Sequence, residues 1–177
     1  MSDRDATFNV LFLGMANAAR SIMAEAILNR EGRGNFRAYS AGIQAADRLD
    51  PHASDLLQRM HFDIGGAHPK DWSEFTGDDA PRFDFIFTVC DNATMLPKSI
   101  WPGNPLIAHF GIADPASAVG NEAQVRLAYA DAFRMLWNRI MILVNLPIQS
   151  FDTLAMQKQL NAIGEPNEPA KKTGVAA

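Results

Sequence analysis

The chain predicts an α/β fold in which a parallel sheet is layered between helices. Two observations carry that expectation. Short apolar runs ending in glycine or small polar residues alternate with longer helix-forming stretches. The runs are also nearly continuous instead of alternating with polar residues, as strands buried on both faces require.

"FNVLFLG" (8–14) is the first such run. "ARSIMAEAILNREG" (19–32) follows as a helix, with Ile22, Met23, Ala26, Ile27 and Arg30 at helical spacing and Gly32 as its stop. "FRAYSAG" (36–42) is a second short strand. "DPHASDLLQRMHFD" (50–63) reads as a helix capped by Asp50, with Pro51 in the first turn. "FDFIFTVCD" (83–91) gives a third strand, and "NPLIAHFG" (104–111) a fourth that starts near Pro105. "NEAQVRLAYADAFRMLWNRIMILVNL" (121–146) is the longest helix, with Val125, Ala128, Ala132, Leu136, Ile140 and Leu143 as its apolar stripe. The Met residues of 135–156 fall at helical spacing and are expected in the core.

At 177 residues the chain is most economically one domain, expected over 1–164. From 165 to 177 it loses apolar periodicity and is expected to be a disordered tail. Sixteen basic against twenty acidic residues leave a formal charge of −4. That balance argues against nucleic acid or an anionic membrane as partner, while leaving room for one local anion pocket. The polar start and the lack of a long apolar run give no signal peptide or membrane anchor, and a cytoplasmic location is expected. Cys90 is the single cysteine, so no internal disulfide or cysteine metal cluster can form. His52, His61, His68 and His109 lack short ligand spacing, and neither a metal nor a cofactor is expected.

In a parallel sheet, ligands bind at the carboxyl ends of the strands. Here those ends are 14–20, 40–42, 89–92 and 109–115. "GMANAARS" (14–21) has the makings of an anion cradle. A strand-to-helix turn aims several N–H groups at one point, the helix dipole adds positive charge, and Arg20 supplies a fork for a tetrahedral oxyanion. Small Ala16, Ala18 and Ala19 let the backbone wrap tightly, with Met15, Asn17 and Ser21 completing the loop. The alternative is an ordinary turn whose arginine pairs with a nearby carboxylate.

The same stretch resembles the phosphate-binding loop of the low-molecular-weight protein tyrosine phosphatases and the thioredoxin-linked arsenate reductases that share their fold. That loop runs cysteine, five residues, arginine, then serine or threonine. Further motifs agree in order: "SIMAEAILN", "YSAG" (39–42), "DPHA" (50–53), "HPK" (68–70), "FIFTVCDNA" (85–93) and "HFGIADPA" (109–116). "NRIMILVNLPIQSFDTLAMQKQLNAIG" (138–164) is most similar to the arsenate-reductase branch. The resemblance implies a three-layer α/β/α phosphatase-like fold on a four-stranded parallel sheet. It also implies that Asn17 holds the loop in shape, that Ser40 braces it by bonding Asn17, and that Asp114 sits over the pocket as a general acid. Asp91 and Asn92 line the rim or are simply a polar strand exit. Trp72, Trp101 and Phe110 wall the pocket or pack elsewhere.

Counted back from Arg20, the nucleophile's position in this resemblance falls on Gly14, which has no side chain to attack with. The family's cysteine beyond "VCD" also has no counterpart in "TMLPK" (94–98). The resemblance therefore implies a degenerate reductase or phosphatase, a pseudoenzyme that keeps the loop at 15–20, Arg20 and Ser21 to bind phosphate, arsenate, sulfate or a phosphorylated partner. Two other readings stay open: an active enzyme working through Cys90 or an activated water, and a structural or protein-interaction module. Gly14 could also be an engineered change, although Met15 and Ala16 depart from the family's usual pair as well.

Overall fold

The computed structural model describes residues 7–91, 93 and 96–165. Asn92, part of "TMLPK" and all of the tail after Glu165 lie outside them.

Four strands form one sheet in the order β2-β1-β3-β4, all parallel: β1 Phe8–Gly14, β2 Phe36–Gly42, β3 Phe85–Thr88 and β4 Leu106–His109. The register pairs Gly14 with Gly42, Leu13 with Thr88, and Thr88 with His109. The carboxyl ends of all four strands therefore reach one edge, and the loops leaving that edge form the candidate site.

Along β1 the side chains alternate between two faces, and both faces are buried. Val10 and Phe12, with Phe85, Phe87 and Ala108, meet the helices. These are α1 (Arg20–Glu31), α2 (Pro51–Arg59), α3 (Glu122–Val144) and α4 (Thr153–Gly164). Each contributes apolar side chains to that cluster, among them Ile27, Leu57, Leu136 and Leu160, all fully buried. At about 1.5–3 kcal/mol for each large side chain removed from water, this face supplies most of the driving force. Of the methionines at 135–156, Met156 is buried and Met135 is partly buried against the cluster.

The α/β class and the four-stranded parallel sheet are as expected. The second layer differs from the expectation of helices on both faces. Leu11, Leu13 and Ile86 are covered by Phe75, Phe83 and Trp101, carried on loops and on the short 3-10 turns Trp72–Phe75 and Lys98–Ile100. Gly77, Pro81, Pro97, Pro102 and Gly103 punctuate these segments too closely for a long helix. Trp72 and Trp101 meet edge to face in that layer, and Phe110 stacks on Phe87 in the other cluster, so all three aromatics serve packing.

The expected caps are present. Asp50 accepts from the N–H groups of His52 and Ala53 ahead of α2, with Pro51 in the first turn. Such a cap contributes about 1 kcal/mol. α2 ends at Arg59, earlier than expected, because His61 turns left-handed at φ 60°. α3 opens on a reciprocal box between Asn121 and Gln124. No described helix is long and apolar enough to cross a membrane.

Candidate anion-binding site

The loop from Gly14 to Arg20 is shaped almost entirely by its main chain. The carbonyls of Gly14, Met15, Ala16 and Ala18 accept from the N–H groups of Ile43, Gln44, Ala46 and Asp50, at 2.8–3.0 Å. In a trans peptide the N–H points opposite to the C=O. Drawing these four carbonyls outward turns the N–H groups of Met15, Ala16, Asn17 and Ala19 to the other side. None of the four has an acceptor among the described residues. α1 begins directly after them with no side-chain cap at Ala19, which leaves its first N–H groups open as well. The result is a concave row of donors at the positive end of a 12-residue helix.

Asn17 fixes the turn. Its φ is 50°, a conformation that Asn tolerates better than most residues. Its buried amide donates to Ser21 Oγ at 2.9 Å and accepts from the Lys70 N–H at 2.8 Å. Gly42 packs directly behind: a Cβ there would lie 2.8 Å from Met15 O and 2.9 Å from Asn17 N. Gly14 is buried at the base, where a Cβ would lie 3.1 Å from Ser21 Oγ and 3.5 Å from Val89 Cγ2.

Ser40 corrects one expectation. Its hydroxyl bonds Glu25, not Asn17. It is completely buried under the sheet edge, where the carboxylate of α1 reaches it before any loop side chain does. Glu25 also faces the Lys70 ammonium at 3.7 Å, so Ser40 reaches the loop only through Glu25 and Lys70. Burial raises the Glu25 pKa above the ordinary carboxylate value, and Lys70 and Ser40 partly oppose that shift.

Arg20 leans from the loop toward the exits of β3 and β4. One Nη donates to Ile112 O at 2.7 Å and to Val89 O at 3.3 Å; the other lies 3.6 Å from the Asp114 carboxylate. Of the two alternatives left open for this arginine, the pairing with a nearby carboxylate is present. Arg20, Cys90, Asp91, Gly111, Ile112, Ala113 and Asp114 line an open pocket of about 510 Å³. Asp114 starts a 3-10 turn, accepting from the Ala116 N–H, and remains exposed. Cys90 is buried, just past the end of β3, and borders the pocket. His109 bridges Thr88 Oγ1 at 2.7 Å and Asp91 Oδ1 at 3.0 Å beside it. Among the described residues, no three His, Cys, Asp or Glu side chains gather where a metal ion would be held.

Two contributors were not read from the sequence. Glu25 carried no signal beyond lying on α1. Arg139 did carry one, since it interrupts the buried stripe of α3 between Leu136 and Ile140.

A four-stranded parallel α/β sheet whose first strand runs through a tight loop into its first helix defines the class to which the chain's relatives belong. The chain belongs to the low molecular weight phosphotyrosine protein phosphatase family, whose model matches residues 9–102. It is 32% identical over 120 residues to an arsenate reductase of Bacillus cereus, covering 65% of this chain and 82% of that one. An arsenate reductase of Oceanobacillus iheyensis is 28% identical over 141 residues, covering 75% and 92%. Among solved structures, the arsenate reductase of Archaeoglobus fulgidus superposes with a TM-score of 0.57 at 29% identity, covering 75% of this chain and 98% of that one. An arsenate reductase in its phosphate-binding state superposes with a TM-score of 0.65 at 22% identity, covering 78% and 97%.

Proposed function

We propose that this protein is an oxyanion-binding member of the family that has lost cysteine-dependent turnover, with Gly14 in the nucleophile's place. The observation that carries the reading is the row of outward-bonded carbonyls from Gly14 to Ala18, which leaves the N–H groups of the loop free beside Arg20. That arrangement receives a tetrahedral anion without help from any side chain at position 14. Phosphate, arsenate and sulfate share the required shape and charge, and a phosphorylated protein would present the same group. The related reductase solved with phosphate supports this choice of ligand.

Calorimetric titration with phosphate and arsenate tests it. Heat at millimolar ligand in the parent, lost in Arg20→Ala, is the expected result. No heat in the parent ends the reading. A second experiment addresses the absent thiol. Gly14→Cys asks only a small yield from the Ser21 hydroxyl and is expected to give hydrolysis of an aryl phosphate that the parent lacks.

One observation favours a second reading. Cys90 borders the same pocket as Arg20 and Asp114, as an alternative thiol nucleophile would. That reading expects phosphate-ester hydrolysis by the parent, or arsenate reduction when an added thiol supplies the electrons by forming a mixed disulfide with Cys90, either activity abolished by Cys90→Ser.

A further inference from the structure

Arg139 is an arginine of α3 with only 7% of its surface exposed, and no carboxylate pairs with it among the described residues. A buried charge without a counter-ion is costly, and burial indeed depresses the pKa of this guanidinium. Its hydrogen bonds go to carbonyls: Phe110 O at 3.2 Å, Gly111 O at 3.0 Å and Gly164 O at 3.4 Å. Two of these belong to the segment that leaves β4 and forms the far wall of the pocket.

The peptide geometry that orients the loop applies to this wall too. Drawing the carbonyls of Phe110 and Gly111 inward, to Arg139, turns the N–H groups of Gly111 and Ile112 outward. The Ile112 N–H is occupied by Val89 O at 3.4 Å. The Gly111 N–H has no acceptor among the described residues, and Gly111 lines the pocket. A Cβ on Gly111 would lie 2.5 Å from His109 Nε2, so the imidazole would have to swing aside to admit one. The end of α4 is pressed onto the same strand exit: a Cβ on Gly164 would lie 2.0 Å from His109 O. The wall is therefore gripped from the core side by Arg139 and α4, and from the pocket side by Arg20 on Ile112 O.

We infer that Arg139 is a positioning residue for anion binding: it turns the Gly111 N–H into a donor in the pocket that Arg20 enters. This inference rests on the anion-binding reading above. The ligand class it adds is a small oxyanion with a free oxygen on the side away from the loop. A phosphate ester would also satisfy it when its bridging oxygen points to solvent. Arg20 alone cannot keep the wall in place, because an incoming anion competes for its guanidinium. Arg139 lies beyond the anion's reach and holds the wall whether the pocket is filled or empty.

Titration of the ¹⁵N-labelled full chain with inorganic phosphate tests this directly. The Gly111 amide is expected to shift along the same saturation curve as the Ala16 and Ala19 amides. Arg139→Met is expected to raise the phosphate dissociation constant about tenfold, as loss of one charge-assisted donor does. Arg139→Lys, which retains charge and some carbonyl bonding, is expected to stay within about threefold of the parent on the same scale. A Gly111 amide that stays still while the loop amides move overturns the inference and leaves anion binding intact. So does an Arg139→Met chain that binds phosphate as the parent does. If Arg139→Met does not fold, the titration of the parent decides alone. If no amide of the parent moves, the anion-binding reading falls, and this inference with it.

Discussion

The loop that carries Arg20 and the pocket wall that Arg20 reaches are held by different means. The loop from Gly14 to Arg20 hangs on main-chain bonds to residues 43–50, with one asparagine as its pin. The wall from His109 to Asp114 has two main-chain bonds, from Phe110 and Ile112 to the exit of β3, and is otherwise tied by two arginine side chains, Arg20 and Arg139. Main-chain anchoring is indifferent to side-chain identity, so a loop of this kind keeps its shape when Gly14, Met15 or Ala16 changes. A wall tied by guanidinium groups responds to charge. The proposed loss of a nucleophile with retention of an anion cradle is compatible with that anchoring: chemistry depends on one side chain, whereas a cradle depends on backbone direction.

The strongest way to break the comparison is at Gly42. An added methyl group there meets Met15 O and Asn17 N at under 3 Å, and both are main-chain atoms that cannot swing aside. Gly42→Ala is expected to cost about 2–4 kcal/mol of stability, at the upper end for overpacking, and to abolish phosphate binding. Chemical denaturation and calorimetry read the two effects. Asn17→Ala comes next. It removes two buried hydrogen bonds and puts a less tolerant residue at positive φ, for an expected loss of about 2–3 kcal/mol. If it unfolds like the parent, the loop has no pin and the contrast with the wall fails.

On the wall, Asp114→Asn is expected to tighten phosphate binding about threefold to tenfold by removing a competing carboxylate 3.6 Å from Arg20. Titration at low salt gives the larger change; equal affinity would mean that Asp114 does not compete for the guanidinium.

The smallest effect concerns Glu25. Its pKa is raised in the folded protein, so the folded state holds the proton more tightly than the unfolded chain does. Stability from this group is then present below its unfolded value near 4.5 and is lost as pH rises through the folded value. Glu25→Gln removes that loss. Relative to the parent, the variant is expected to gain stability between pH 4 and pH 7, by at most about 1 kcal/mol once the lost Lys70 pairing is set against it. Denaturation midpoints across that range decide the sign.

Much of this was legible in the sequence. Short apolar runs, three of them ending in glycine, placed all four strands, and Asp50-Pro51 and Asn121 marked helix starts that the structure shares. The arginine at the far end of "GMANAAR" pointed to the pocket. What stayed hidden depends on distance across the fold. Nothing local to Ser40 says that its hydroxyl faces Glu25, fifteen residues earlier on another layer. Lys70 serves the loop through its backbone N–H, a group every residue but proline owns. The layer over Leu11, Leu13 and Ile86 differs from the expectation because alternation of strand and helix does not say whether proline and glycine leave a crossover room to coil. Arg139 was visible as a charge inside an apolar stripe, yet its carbonyl partners lie 25 to 29 residues away.

The order of these ties along the chain has a consequence for biosynthesis. Strand β1 and the loop after it are made before the other strands, and β2 can pair with β1 once Gly42 has emerged. The backbone clasp from 43–50 follows soon after, and Lys70 later. Arg139 and Gly164 are made last of these ties. The strand exit from Phe110 to Ile112 is therefore clamped only after the loop at the other strand end has been folded against its main-chain partners.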